Sequence, residues 1–202
     1  LVQVEGGKMN GTEKQEIIIN VAKQLFSEKG YAATGVREIA EKSGLSLGNF
    51  YNYFKNKEEL FKHLIDPENI IKSLSTIPSM VNEGFPGNFD KIILEIKRVV
   101  DMNKELYKLI FIDLIEFGGT NTNNIMGRIL EFSNQVFNDD VKSRVVGSKI
   151  KEMDYPFYLK LFVTSILPLF IINNILPAAK ITYSDEEISR LISDVLMKGI
   201  KA

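Results

Sequence analysis

The 202-residue sequence predicts an all-α protein in two parts, a compact amino-terminal helical bundle followed by a larger helical region. Apolar residues recur at the three- and four-residue spacing of a helix face, and residues suited to helix caps stand where these runs begin and end. Between the Gly- and Pro-marked breaks lie segments that read as helices, not strands.

Taken in order, Ile18, Val21, Ala22, Leu25 and Phe26 mark one face of a first helix that Gly30 closes. Thr34 is the predicted N-cap of a second helix running to about Ser43, and Gly44 ends it at a turn position open to positive φ. Ser46 is then free to cap a short third helix whose first turn is Leu47, Gly48 and Asn49. Asn56, with Glu59 three residues on, has the form of a capping box before Leu60, Phe61, Leu64 and Ile65. The stretch from Val36 to Lys55 is therefore two short helices joined by a tight turn. Ala40 permits their close approach, and Ile39, Leu45, Phe50 and Phe54 supply the apolar contacts. This is a helix-turn-helix, and it points to DNA.

The same residues resemble a known family. Ala22-x-x-Leu25-Phe26-x-x-x-Gly30-Tyr31, Thr34-x-Val36-Arg37-x-Ile39-Ala40, Gly44-Leu45-Ser46 and Phe50-Tyr51-x-Tyr53-Phe54-x-Asn56-Lys57-Glu58-x-Leu60 follow one another in order. In order and spacing, the segment from about Glu16 to Leu64 resembles the DNA-binding domain of the TetR (tetracycline repressor) family of transcription regulators. The resemblance covers about a quarter of the chain. Gly35 stands where the family often has Ser or Thr, and Leu47-Gly48 where a polar or basic residue is common. Base readout at the start of the recognition helix is accordingly expected to be sparse.

A helix-turn-helix lays its second helix in the major groove with the N-terminal residues at base edges, which places Leu47, Gly48 and Asn49 to read sequence and Asn52 one turn later. Asn49 can pair with adenine through two bonds, Leu47 can touch a thymine methyl, and Gly48 lets the backbone come close. Ser46 precedes them at the cap. Tyr51 and Tyr53 can offer hydroxyls to phosphate, Thr34 and Lys57 stand at helix starts as phosphate contacts, and Arg37 can reach phosphate or guanine. The family match supports Thr34, Tyr51 and Lys57 in particular. Asn52 is equally readable as a solvated position and Tyr53 as a packing residue.

Beyond His63 the chain is broken at Asp66-Pro67, Phe85-Pro86-Gly87-Asn88, Gly118-Gly119-Thr120-Asn121, Asp154-Tyr155-Pro156 and from Pro177 to Tyr183. Helices are predicted near 68–82, 88–103, 104–117, 122–138, 142–152, 156–175 and 185–199. Ser184 and Glu187 make a capping box for the last, whose Ile188, Leu191, Ile192, Val195 and Leu196 form an apolar stripe. The helix at 156–175 is apolar nearly all round, and its Pro168 leaves the Thr164 carbonyl without a helical partner and predicts a kink. These two helices can pair with their symmetry mates in a four-helix bundle across a homodimer, an arrangement the resemblance also implies, or can be monomer core.

Residues 1–11 read as a flexible leader, 12–65 as the helix-turn-helix DNA-binding domain and 66–202 as a helical effector-binding and dimerisation domain. Tyr107, Phe111, Leu114, Phe132, Phe162 and Ile166 are the candidate contacts to a small apolar or aromatic effector, on helices expected to surround a cavity. The competing reading is that these side chains are plain core.

Composition excludes several classes. The sequence has no Cys and a single His, which removes disulfides, thiolate metal sites and His-based metal clusters within one chain, so no metal or other cofactor is expected. His63 and Asp66 lie three apart but have no nucleophile motif beside them, and no phosphate-binding glycine pattern occurs. Net charge is −1, and up to Leu64 nine basic residues face eight acidic ones, so DNA binding must depend on where a few cations sit. The amino-terminal residues lack a basic leader with an apolar run, and Leu161 to Ile172 is well short of the ~20 residues that span a bilayer. The expectation is a cytoplasmic, homodimeric, ligand-responsive repressor that binds a palindromic double-stranded operator, and not an enzyme. The alternative is a helical enzyme or protein-interaction adaptor without specific DNA binding.

Overall fold

A computed structural model describes residues 10–146, 167–175 and 182–200. Among these residues the chain forms helices and no strands, so the all-α expectation holds. They fall into two compact units, one drawn from Leu1–Asp66 with Glu105–Asn123, the other from Pro67–Lys104 with Asn124–Ala202. The first unit thus takes in residues 105–123, which the sequence reading assigned to the second domain.

In the first unit, α1 (Gly11–Lys29) starts on a capping box: the Asn10 side chain accepts from the Glu13 N–H and the Glu13 carboxylate accepts from the Asn10 N–H, both at 2.9 Å. The expected leader therefore ends earlier than residue 11, and residues 1–9 lie outside the described residues. Ile18, Ala22, Leu25 and Phe26 are buried as their spacing requires, and the Gly30 N–H closes the helix on the Phe26 carbonyl.

The second helix, α2 (Val36–Lys42), departs from expectation at its start. Gly35, with extended backbone and no side-chain bond, is the N-cap, because the Thr34 hydroxyl turns back to donate to the Gly30 carbonyl at 2.8 Å. Gly44 at φ 67° makes the turn, and α3 (Leu47–Tyr51) opens with the Asn49 N–H donating to Ser46 Oγ at 3.2 Å. For α4 (Lys57–Leu64), Asn56 accepts from the Glu59 N–H as expected, but the Glu59 carboxylate reaches the Lys55 N–H instead of closing the box on Asn56. Phe26, Phe50 and Phe61 are fully buried, each contributing about 1.5–3 kcal/mol of transfer free energy.

In the second unit, the single helix expected over 68–82 is two, α5 (Pro67–Ser73) and α6 (Ile77–Gly84). Pro78 has no N–H for the preceding turn, so the helix stops and restarts with the proline in its first turn, where a missing donor costs nothing. Ile77, Val81 and Phe85 meet Ile92 of α7 (Phe89–Met102) and two later residues, Val136 and Val141. α8 (Lys104–Glu116) leads into α9 (Thr120–Val136) and α10 (Asp139–Val146).

Of the helix expected over 156–175, only α11 (Leu167–Ile175) is described, so the Thr164 carbonyl and the expected kink lie outside the described residues; Pro168 sits in the first turn of the helix. α12 (Asp185–Ile200) has the predicted box, Ser184 and Glu187 exchanging bonds of 2.8 and 3.2 Å, and packs with α11 on α7. Its apolar stripe divides: Ile188 is buried, whereas Leu191 and Val195 are 51% and 72% exposed. Lys97 of α7, buried, holds the start of α12 through Asp185 at 2.9 Å and pairs with Asp101 at 2.6 Å.

Candidate nucleic-acid interface

The helix-turn-helix is assembled as its sequence requires. α2 packs on α3, with Ile39, Ala40 and Phe50 buried at the contact and the Leu45 N–H donating to the Ala40 carbonyl across the turn. Burying Phe50 fixes the rotation of α3 and leaves Ser46, Gly48, Tyr51 and Asn52 exposed, with Leu47, Asn49 and Tyr53 half-buried. Asn52 is the C-cap of α3, not an interior position. Arg37 is exposed on α2 and, like Lys55, makes no ion pair among the described residues, whereas Lys29 and Lys42 are engaged by Glu38. Hydrogen bonding to Lys29 holds the Glu38 carboxyl below its ordinary value.

Two candidate contacts have structural duties. Thr34 is 1% exposed and its hydroxyl donates to the Gly30 carbonyl, so its side chain closes the turn and does not face outward. The Lys57 ammonium donates to the carbonyls of Tyr31 and Thr34, each at 2.8 Å, and lies over the Tyr31 ring. Burial lowers the Lys57 pKa, and the Glu116 carboxylate opposes that shift. Two of its three N–H groups are thus occupied by the α1–α2 turn, leaving one for a phosphate.

The described candidate effector residues belong to different units. Tyr107 is buried in the first unit, and Phe111 and Leu114, also in that unit, are 44% and 48% exposed. Phe132 packs against the core of the second unit, and Phe162 and Ile166 lie outside the described residues.

Residues outside the candidate DNA contacts support the α1–α2 turn. Glu116 accepts from the Tyr31 N–H at 3.1 Å and the Ala32 N–H at 2.8 Å. Phe117 stacks on Phe61 at 5.0 Å and meets Tyr31 edge-on at 4.6 Å. Fully buried Asp113 accepts from Asn121 Nδ2 and from the Thr122 N–H and hydroxyl, at 2.7 to 2.8 Å. Burial alone raises the Asp113 pKa, but these bonds outweigh it and hold the carboxyl below its ordinary value. A Gly118-Gly119 turn followed by the cap-forming run Thr120-Asn121-Thr122 was a usable signal for Asp113. Glu116 had none, since its partners lie 84 and 85 residues away.

Comparison with known proteins agrees with this geometry. Residues 18–64 match the family model for bacterial regulatory proteins of the tetR family. Over 48 residues the chain is 52% identical to the uncharacterized HTH-type transcriptional regulator YerO of Bacillus subtilis, covering 24% of this chain and 17% of that protein. Over 51 residues it is 47% identical to the HTH-type transcriptional regulator QacR of Staphylococcus aureus, covering 25% and 27%. The matched stretch therefore spans less than a third of either relative. The solved structure of the transcriptional regulator FadR from Bacillus subtilis in complex with stearoyl-CoA has a TM-score of 0.65 at 18% identity, over 92% of this chain and 98% of that one, a likeness of fold. These relatives are transcription regulators, not enzymes. Residues 18–64 thus carry a DNA-binding helix-turn-helix domain of the tetR family of bacterial regulatory proteins.

Proposed function

We propose that the protein is a ligand-responsive repressor that binds a palindromic operator as a homodimer. The observation that carries this reading is the orientation of α3, whose buried Phe50 turns Gly48, Tyr51 and Asn52 outward with Asn49 half-exposed. Leu47, Gly48 and Asn49 read bases, with Asn52 following. Ser46, Tyr51, Tyr53, Arg37 and the remaining Lys57 donor hold the phosphate backbone. The dimer forms through helices near 156–175 and 185–199, a reading supported by the two outward apolar residues of α12, Leu191 and Val195.

The effector is a small apolar or aromatic molecule taken up by the helical region. A protein of like fold, FadR of Bacillus subtilis, was crystallised with stearoyl-CoA, which supports an apolar ligand class. The effector shifts DNA affinity only by its differential affinity for two arrangements of the dimer. Selection from a random DNA pool with the purified protein tests the reading. The expected result is a two-fold symmetric site with half-sites about 34 Å apart; enrichment of no sequence would overturn it.

A further inference from the structure

Three cations surround the turn between α1 and α2. Lys29 is the last residue of α1, Arg37 lies in the first turn of α2, and the Lys57 ammonium donates to the Tyr31 and Thr34 carbonyls within the turn. Arg37 is exposed without an ion pair among the described residues, and Lys57 keeps one donor for phosphate. Lys29 differs from both. Its side chain is 43% exposed, yet its charge is matched by Glu38, the residue after Arg37. The same carboxylate lies 3.8 Å from Lys42, one turn further along α2. Its bond to Lys29 lowers the Glu38 pKa, so the group is charged at neutral pH.

An exposed ion pair contributes little to stability, because water and salt screen it. Its effect on DNA binding is larger. Affinity for any duplex grows with each cation that displaces a counterion from phosphate, and a carboxylate among those cations both occupies one and repels phosphates within the screening length of about 10 Å. Up to Leu64 nine basic residues face eight acidic ones, so each cation held back matters. An effector typically changes affinity by about 5- to 150-fold. A repressor whose DNA affinity lies far above that range stays bound when its effector arrives.

We infer that Glu38 is an affinity-limiting residue of the DNA interface, holding the Lys29 charge off the phosphate backbone so that the protein binds DNA less tightly than its cations allow. The inference rests on the proposed placing of Arg37 and Lys57 at phosphate, and adds to the ligand-responsive reading the residue that keeps DNA affinity within the effector's reach. Glu38 reads no base; it acts through Lys29.

The test uses the full chain and a duplex of random sequence, so it needs no operator. Affinity is measured from about 50 to 200 mM salt for wild type, Glu38→Gln, Glu41→Gln and the double variant Glu38→Gln/Lys29→Met. Glu38→Gln is expected to bind about three- to tenfold more tightly near 0.1 M salt and to steepen the salt dependence by about one unit of slope per head. Glu41→Gln makes the same change of charge on an exposed α2 residue that holds neither Lys29 nor Lys42, and it should move affinity and slope less than half as far. The double variant has the net charge of wild type and should return to its affinity and slope. An unchanged slope in Glu38→Gln overturns the inference. So does an equal gain in Glu41→Gln, which marks diffuse charge, or a double variant that keeps the gain, which shows that Lys29 is not the cation released. Weaker binding by Glu38→Gln together with a lower urea midpoint would make Glu38 a structural residue and overturn it as well. Failure of the pool selection to yield a two-fold site overturns the operator reading instead, and these measurements on random duplex still decide on Glu38.

Discussion

The Lys57 ammonium lies 4.1 Å from the centre of the Tyr31 ring while donating to the carbonyl of the same residue at 2.8 Å. A single cation thereby fixes both the ring and the backbone of the α1–α2 turn. A methionine at 57 keeps the apolar stem but removes the charge, losing a cation–π contact and two charge-assisted bonds. We expect Lys57→Met to destabilise the protein by about 1–3 kcal/mol, read as a lower urea midpoint. DNA binding should weaken on all sequences alike. An unchanged midpoint would show that these contacts are replaced by water without loss.

Asp113 predicts a pH dependence. Its carboxyl pKa is lowered on folding from the ordinary value of 3.8, because the bonds from Asn121 and Thr122 outweigh the burial that alone would raise it. In the window between the folded and the unfolded pKa the unfolded state binds more protons, so stability rises with pH there. The contribution is complete above about pH 4 and is lost as pH falls through the folded pKa. Asp113→Asn should cost about 1.5–3 kcal/mol near neutrality and progressively less below pH 4, measured by denaturant unfolding across that range. A gap between the two proteins that is constant with pH would contradict the assignment.

The helix-turn-helix was legible because its determinants are local. Ser46 caps α3 three residues from its partner Asn49, Gly44 turns the chain within one residue, and the burial of Ile39, Ala40, Phe50 and Phe54 follows helix spacing. The errors arose where a side chain chose a distant or unexpected partner. Thr34 carries a cap-forming hydroxyl but donates to Gly30, which passes the cap to Gly35. Pro78 inside an otherwise periodic run marks a break that periodicity alone overrides. The inclusion of 105–123 in the first compact unit was not legible for a different reason: the contacts of Glu116 and Phe117 join positions more than fifty residues apart, and no local pattern encodes them. Hydrophobicity also could not divide the α12 stripe, since Leu191 and Ile188 are equally apolar and only packing turns one outward.

Arg37 and Asn49 should separate backbone contact from base readout. Arg37 is exposed and without an ion pair among the described residues, so its charge is available to phosphate. Arg37→Ala is expected to weaken all sequences alike and to make the salt dependence shallower by about one unit of slope. Asn49→Ala should instead relax preference at one position of each half-site, at a cost of about 1–3 kcal/mol on the preferred base. A base-specific loss for Arg37→Ala would reassign it to guanine, and a uniform loss for Asn49→Ala would remove it from the readout.

Leu191 tests the assembly. It is 51% exposed and one turn from Val195, which is 72% exposed, so neither side chain is buried among the described residues. A charge introduced there should cost the folded monomer little, on the order of 0.5 kcal/mol. At a subunit interface the same charge is buried without a partner on both sides of the two-fold axis, which costs several kcal/mol. Leu191→Glu is therefore expected to keep its helical content and thermal cooperativity while sedimenting as a monomer. Binding to the full operator should fall far more than binding to a single half-site, because the second head acts through effective concentration and is lost with the dimer. A folded Leu191→Glu protein that remains dimeric and binds the full operator as wild type does would place the interface elsewhere than on this face of α12.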